Sequence, residues 1–113
     1  MKEEYLEMKR LLLLVLSGLV VIALMFPAMG VAQGKDTFKA KCAACHGPDG
    51  KGGTSMAKAM GIKDLGGADI QKMSDAELNA TITNGKGKMP AYKGKLSDSQ
   101  ISELVSYIRT LKH

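Results

Sequence analysis

Large aromatic side chains are scarce in this chain of 113 residues, which has no tryptophan, three tyrosines and two phenylalanines. Because such side chains carry much of the burial in small proteins, a core filled in the ordinary way is excluded. The length leaves room for one domain, which excludes a multidomain enzyme. Only two cysteines are present, Cys42 and Cys45, and a disulfide between them closes too short a loop to stabilise the rest.

Long basic runs are also missing, although 16 Lys and Arg against 11 Asp and Glu give a net charge of +5. Four consecutive basic residues occur nowhere, and aromatic residues do not interleave with the lysines. Proteins that bind nucleic acid combine a basic groove with stacking aromatics, so the sequence argues against a nucleic-acid partner. The charge favours an acidic protein or an anionic lipid surface instead.

One long hydrophobic segment is present, residues 11–32, with no charged residue over 22 positions. Two basic residues precede it, and Gly30 and Ala32 supply small side chains at the −3 and −1 positions of a cleavage after Ala32, as in an export signal. Residues 1–10 hold three acidic and three basic side chains, whereas a signal begins with a positive region. A start at Met8 fits that pattern, and we expect it to be the physiological start.

The same segment has a second interpretation, an uncleaved membrane anchor. Twenty-two helical residues span about 33 Å, enough to cross a hydrocarbon core of about 30 Å. Pro27 is expected to interrupt the helix and to leave 16 unbroken apolar residues, which favours cleavage. We therefore expect residues 1–32 to be a signal peptide or anchor. Residues 33–113 should form the domain, in the periplasm or another extracytoplasmic compartment, either soluble or anchored to the membrane.

Three helices and a shorter one are predicted in these 81 residues. The first, from about Asp36 to Cys45, has apolar side chains at i, i+4 and i+7. Capping boxes begin the second at Ser74 and the third at Ser97, and a short helix is expected at 55–60. The Gly- and Lys-rich segments between them predict loops. The fold class is therefore all-α with long loops, and a core this small calls for a cofactor to complete it.

Residues 42–46 form a C-x-x-C-H motif, the signature of covalent c-type haem attachment. On a helical turn, two thiols three residues apart lie on one side and can each add to a haem vinyl group. His46 shares that face and can bind the iron. A thioredoxin-like dithiol would need a βαβ setting, and a zinc site would need two further ligands, for which only His113 is at hand.

A haem iron with histidine on one side has a second axial position, and the loop at residues 85–92 offers Met89, a soft thioether ligand. It follows His46 by 43 residues, enough chain to pass around the porphyrin edge. Four of the other methionines belong to the N-terminal segment, and packing explains the remaining three, Met56, Met60 and Met73. The expected site is one haem c on Cys42 and Cys45, with His46 and Met89 on the iron.

Residues 34–113 resemble the class I c-type cytochromes, a family of small monohaem proteins that includes mitochondrial and bacterial electron carriers. The C-x-x-C-H motif and residues 87–90 match the family's haem motif and its methionine loop. The resemblance implies that the first and last helices cross, and that a small residue and aromatic side chains lie at the contact between them. The matching residues are Gly34, Phe38, Leu104 and Tyr107.

The sequence departs from this family at one position. The family usually has a proline after the histidine whose carbonyl accepts the imidazole N–H, and residues 54–61 contain none. Pro48 lies only two residues after His46. The carbonyl that orients the imidazole is therefore not identified by the sequence.

Two axial ligands leave no open position on the iron, so the expected function is an electron carrier and not an enzyme. Lysines around the methionine loop and after the haem motif predict a positive ring that steers acidic redox partners. They are Lys86, Lys88, Lys93, Lys95, Lys51 and Lys58. Two alternatives stay open: a haem sensor or peroxidase whose methionine detaches, and a membrane-tethered electron-entry module of a respiratory complex.

Overall fold

The computed structural model describes the backbone of residues 1–113 and the side chains of all of them except Pro27 and Ala28. The helices are α1 (Lys2–Lys41), α2 (Ala43–His46), α3 (Ser55–Met60), α4 (Ala68–Gln71), α5 (Asp75–Asn84) and α6 (Asp98–Thr110). Over this described backbone, β structure is confined to two isolated bridges, Lys86 with Met89 and Lys93 with Leu96. The prediction of an all-α fold with long loops is confirmed.

Helix α1 differs most from the sequence-based expectation, because it runs for 40 residues, from Lys2 to Lys41, where we expected a start near Asp36. The expected interruption at Pro27 is absent from the described backbone. One proline removes one intrahelical hydrogen bond, and the good helix formers on either side supply the others. The expected end at Cys45 also needs correction, since α1 ends at Lys41 and α2 follows Cys42.

Capping residues fix where the later helices begin. Ser74 and Ser97 each accept a hydrogen bond from the backbone three residues on and complete capping boxes, so both predicted starts are confirmed. Thr54 caps α3, whose bounds match the predicted short helix. Helix α4 was not predicted, because its four residues are too few to show an apolar period.

The core forms where α1 crosses α6. Gly34 lies against the backbone of α6, and a Cβ at this position would overlap the carbonyl of Glu103. Phe38 is 1% exposed and packs on Tyr107, with ring centroids 5.3 Å apart. Leu104 is equally buried in the same cluster. The crossing implied by the family resemblance is therefore present, and it holds the end of α1 in a fixed position.

Candidate haem-binding site

A cavity of about 370 Å³ opens beside the junction of α1 and α2. Its walls include Cys42, Cys45 and His46 from that junction and Met89 from the loop after α5. A second cavity of about 120 Å³ shares Cys42, His46 and Met89 and extends to core side chains such as Phe38. The volume of the larger cavity is in the range of small-molecule sites. The structure thus brings all four predicted site residues to one place.

The two cysteine side chains are not joined to each other by a disulfide, and each is partly buried. Burial, together with the neighbouring Cys45 sulfur, raises the pKa of the Cys42 thiol to about 11. Dithiols that act in redox exchange have a lowered pKa, so this environment disfavours a thioredoxin-like role. The pair instead presents two sulfurs at the wall of a cavity that can hold a large group.

The imidazole of His46 is partly buried, and this burial lowers its pKa, which favours the neutral form that binds metals. Its Nδ1 atom is buried without a hydrogen-bond partner among the side chains and backbone that the structure describes. Buried polar atoms in native proteins nearly always have a partner. A ring with one nitrogen unpartnered beside a cavity fits a site built around a further group. Among the residues that the structure describes, no carbonyl accepts a hydrogen bond from this nitrogen, so none takes the role that the family gives to its proline carbonyl.

The loop that carries Met89 is fixed by its own backbone. Gly85 follows α5 at φ 73°, and a Cβ there would lie 2.6 Å from the carbonyl oxygen of Met89, so the position requires glycine. The N–H of Met89 donates to Lys86 and the N–H of Lys86 donates back to Met89, at 3.0 and 3.1 Å. These bonds make a tight turn that directs residues 89–92 along the cavity.

Three other methionines competed for the ligand role. Met60 lines the larger cavity, Met73 lines the smaller one and packs against the core, and Met56 is 52% exposed. Met89 lines both cavities together with His46. Proximity thus favours Met89, and Met60 is the competitor that an experiment has to exclude.

Several cavity residues gave no signal in the sequence. Ile62, Leu65 and Ile70 are isolated apolar residues in a Gly-rich segment without helical period, and they line the cavity from the loop between α3 and α4 and from α4 itself. Thr81 faces the cavity from α5. The only sequence feature was single apolar residues in a stretch without helical period. This feature does not distinguish residues that line a cavity from residues that pack in the ordinary core.

The lysines at the cavity are only partly those predicted. Lys86 and Lys88 line it, and they are joined by Lys41 and Lys63, which are distant in sequence. The other four predicted lysines do not line either cavity: Lys51, Lys58, Lys93 and Lys95. The positive charge at the cavity therefore comes from three separate segments of the chain: α1, the loop after α3 and the Met89 loop.

Comparison with known proteins identifies the family. Residues 30–108 match the family described as cytochrome c oxidase, cbb3-type, subunit III. The chain is 37% identical over 108 residues to a cytochrome c6 of Nostoc sp., covering 89% of this chain and 92% of that protein. It is 35% identical to a cbb3-type cytochrome c oxidase subunit CcoP of Azospirillum sp., of which it covers 28%.

A solved structure agrees with these matches. The KustC0563 c-type cytochrome superposes with a TM-score of 0.65 at 29% identity, covering 71% of this chain and 98% of that one. Members of this family hold haem c through two thioether bonds, and Cys42 and Cys45 are the only cysteines in the sequence that can form them. The chain belongs to the class I c-type cytochromes and carries one covalently bound haem c.

Proposed function

We propose that this cytochrome is a soluble or membrane-tethered electron carrier whose haem iron is bound by His46 and Met89. One observation carries the proposal: the two side chains lie 43 residues apart in sequence and line the same two adjoining cavities. The haem supplies one-electron chemistry at its iron. If His46 and Met89 both held the iron, it would have no free position for a substrate, so the proposed function is transfer between proteins and not catalysis.

The side chains around the site suit this role. The neutral imidazole of His46 binds as an uncharged ligand, and the thioether of Met89 favours ferrous iron and raises the reduction potential. Apolar residues of the cavity wall, among them Ile62, Leu65 and Ile70, keep water away from the group. A dry pocket of this kind also favours the less charged reduced state.

The holoprotein should titrate as a single one-electron couple, and its ferrous form should not bind carbon monoxide at neutral pH without denaturant. Both results follow from an iron whose two axial positions are occupied. Potentiometry and absorption spectra under carbon monoxide measure them. Ready carbon monoxide binding by the wild type would favour the sensor or peroxidase alternative instead.

The lysines that line the cavity suggest the nature of the redox partner. Lys41, Lys63, Lys86 and Lys88 line the larger cavity, so they would lie close to a haem held there. Only Lys63 among them forms an ion pair within the described part of the chain, with Asp69 at 3.1 Å, and that pair is exposed. A local excess of positive charge speeds encounter with acidic surfaces, so the proposed partners present acidic docking sites.

Replacement of Lys86 and Lys88 by glutamate should slow electron transfer to an acidic protein at low salt and should flatten its dependence on ionic strength. Steering acts over a Debye length of about 8–10 Å, so it requires charges at the docking surface. The matched control replaces Lys72 and Lys112, which are exposed and line neither cavity. Stopped-flow rates across a salt series measure the effect. Equal slowing in both double variants would mean that net charge alone matters.

A membrane-tethered carrier is the second candidate, and the packing of α1 favours it. The helix contains an 18-residue window of mean hydropathy 2.7 with none of it buried, long enough to cross a bilayer, as export signals also can be. Val31 packs against the core, and Gly30 faces the side chain of Glu103 on α6. Both residues precede the cleavage site expected after Ala32. Cleavage there would remove part of the folded domain's own packing, and retention would keep it.

N-terminal sequencing of the protein from its native host distinguishes the two forms. Retention predicts a start at Met1 or Met8 and a protein that leaves the membrane only in detergent. Cleavage predicts a soluble protein that begins at Gln33. In either case the haem domain lies outside the cytoplasm, and the thioether bonds to the haem form in that outer compartment. A soluble protein starting at Gln33 would rule out the tethered form.

A further inference from the structure

Tyr92 ends the loop that carries Met89, and its partly buried ring lines the larger cavity and packs against the core. Its hydroxyl donates a hydrogen bond of 2.9 Å to the carbonyl oxygen of Lys41. Lys41 is the last residue of α1 and directly precedes Cys42. The last carbonyls of a helix lack partners within the helix, so this oxygen is free to accept. The bond joins the methionine side of the site to the cysteine side.

The other hydrogen bonds of the loop run elsewhere. The N–H groups of Tyr92 and Lys93 donate to the carbonyls of Ile82 and Thr83, at 3.1 and 3.0 Å, and so hold the loop on α5. The Lys86–Met89 pair is internal to the loop. Within the part of the chain that the structure describes, the Tyr92 hydroxyl therefore makes the one hydrogen bond from residues 85–95 to α1 or α2.

We propose that Tyr92 is a positioning residue whose hydroxyl keeps the Met89 loop closed over the site, an inference that rests on Met89 being the iron ligand. For Met89 to leave the iron, the loop has to move away from α1 and α2, and this movement breaks the bond to Lys41. Removing the hydroxyl favours the open loop. Tyr92 thus sets the fraction of time for which the iron is accessible. Low accessibility distinguishes an electron carrier from a protein that binds external ligands.

The test compares imidazole binding to the ferric holoprotein in the wild type and in Tyr92→Phe. A net hydrogen bond of about 1 kcal/mol corresponds to about fivefold in the loop-opening equilibrium. Because imidazole binds only to the open form, its apparent affinity should rise about fivefold in Tyr92→Phe. The control is Tyr107→Phe, since the Tyr107 hydroxyl has no hydrogen bond to the described residues, and it should bind imidazole as the wild type does.

A second readout separates positioning from general stability. If the hydroxyl only stabilised the fold, Tyr92→Phe would lower the urea midpoint and leave imidazole affinity in the absence of urea unchanged, which would overturn the proposal. The iron–sulfur charge-transfer absorption of the wild type tests the assumption that Met89 is the iron ligand, on which the proposal rests. Its absence would overturn the Met89 assignment and this inference together. Its presence, with equal imidazole affinity in both proteins, would overturn only the role of Tyr92.

Discussion

Replacing both Cys42 and Cys45 by alanine is expected to leave a domain that is largely unfolded. The cluster of buried residues is small, and six of its members line the cavities directly: Phe38, Leu65, Leu78, Ile82, Leu104 and Ile108. Without the cofactor these walls face about 370 and 120 Å³ of unfilled space. Empty apolar cavities destabilise in proportion to their volume, and a group bound only by the folded state contributes its binding free energy to folding.

Circular dichroism and thermal melting measure this loss. The double variant should show no cooperative transition in the domain, while the holoprotein should melt cooperatively. The exposed first part of α1 can keep helical signal in detergent or lipid, so the decisive observation is the melt and not the helix content. A cooperative helical melt in the haem-free variant would show that the polypeptide alone supplies a sufficient core.

Met89→Ala is expected to open the sixth position of the iron. Alanine has no ligand atom, so the iron–sulfur charge-transfer absorption should disappear, the reduction potential should fall and ferrous protein should bind carbon monoxide. The fall reflects the loss of a soft ligand that stabilises ferrous iron. Spectra of both oxidation states and potentiometry measure these changes.

The controls are the other methionines of the domain. Met56→Ala, Met60→Ala and Met73→Ala should each retain the charge-transfer absorption. Met60 is the most informative, because its side chain lines the same cavity as Met89. If the absorption survived in Met89→Ala and vanished in Met60→Ala, the iron ligand would be Met60 of α3 and not Met89.

Local signals in the sequence predicted the starts of α3, α5 and α6 and the attachment site. A capping box is complete within four residues, so Ser74 and Ser97 identify their helices without knowledge of the rest of the fold. The attachment motif is equally local, because the two cysteines and His46 lie within residues 42–46. The glycine at position 34 was identified only through the family, and the structure explains it by the backbone of α6.

Contacts between distant segments could not be predicted in this way. Lys41 and Lys63 reach the cavity from α1 and from the loop after α3, far in sequence from the Met89 loop, and no local pattern places them beside it. The hydrogen bond from Tyr92 to Lys41 spans 51 residues. The continuous length of α1 was missed because the rule that proline ends a helix is a tendency, and a long run of helix formers outweighs it.

The crossing of α1 and α6 also bears on how the chain is assembled. Gly34 and Glu103 meet although they are 69 residues apart, and closing a loop of that length costs about 4 kcal/mol of chain entropy. Synthesis delivers α1 first and α6 last. The crossing therefore cannot form until α6 has been synthesised, so Cys42 and Cys45 are made well before the contacts that close the domain beside them.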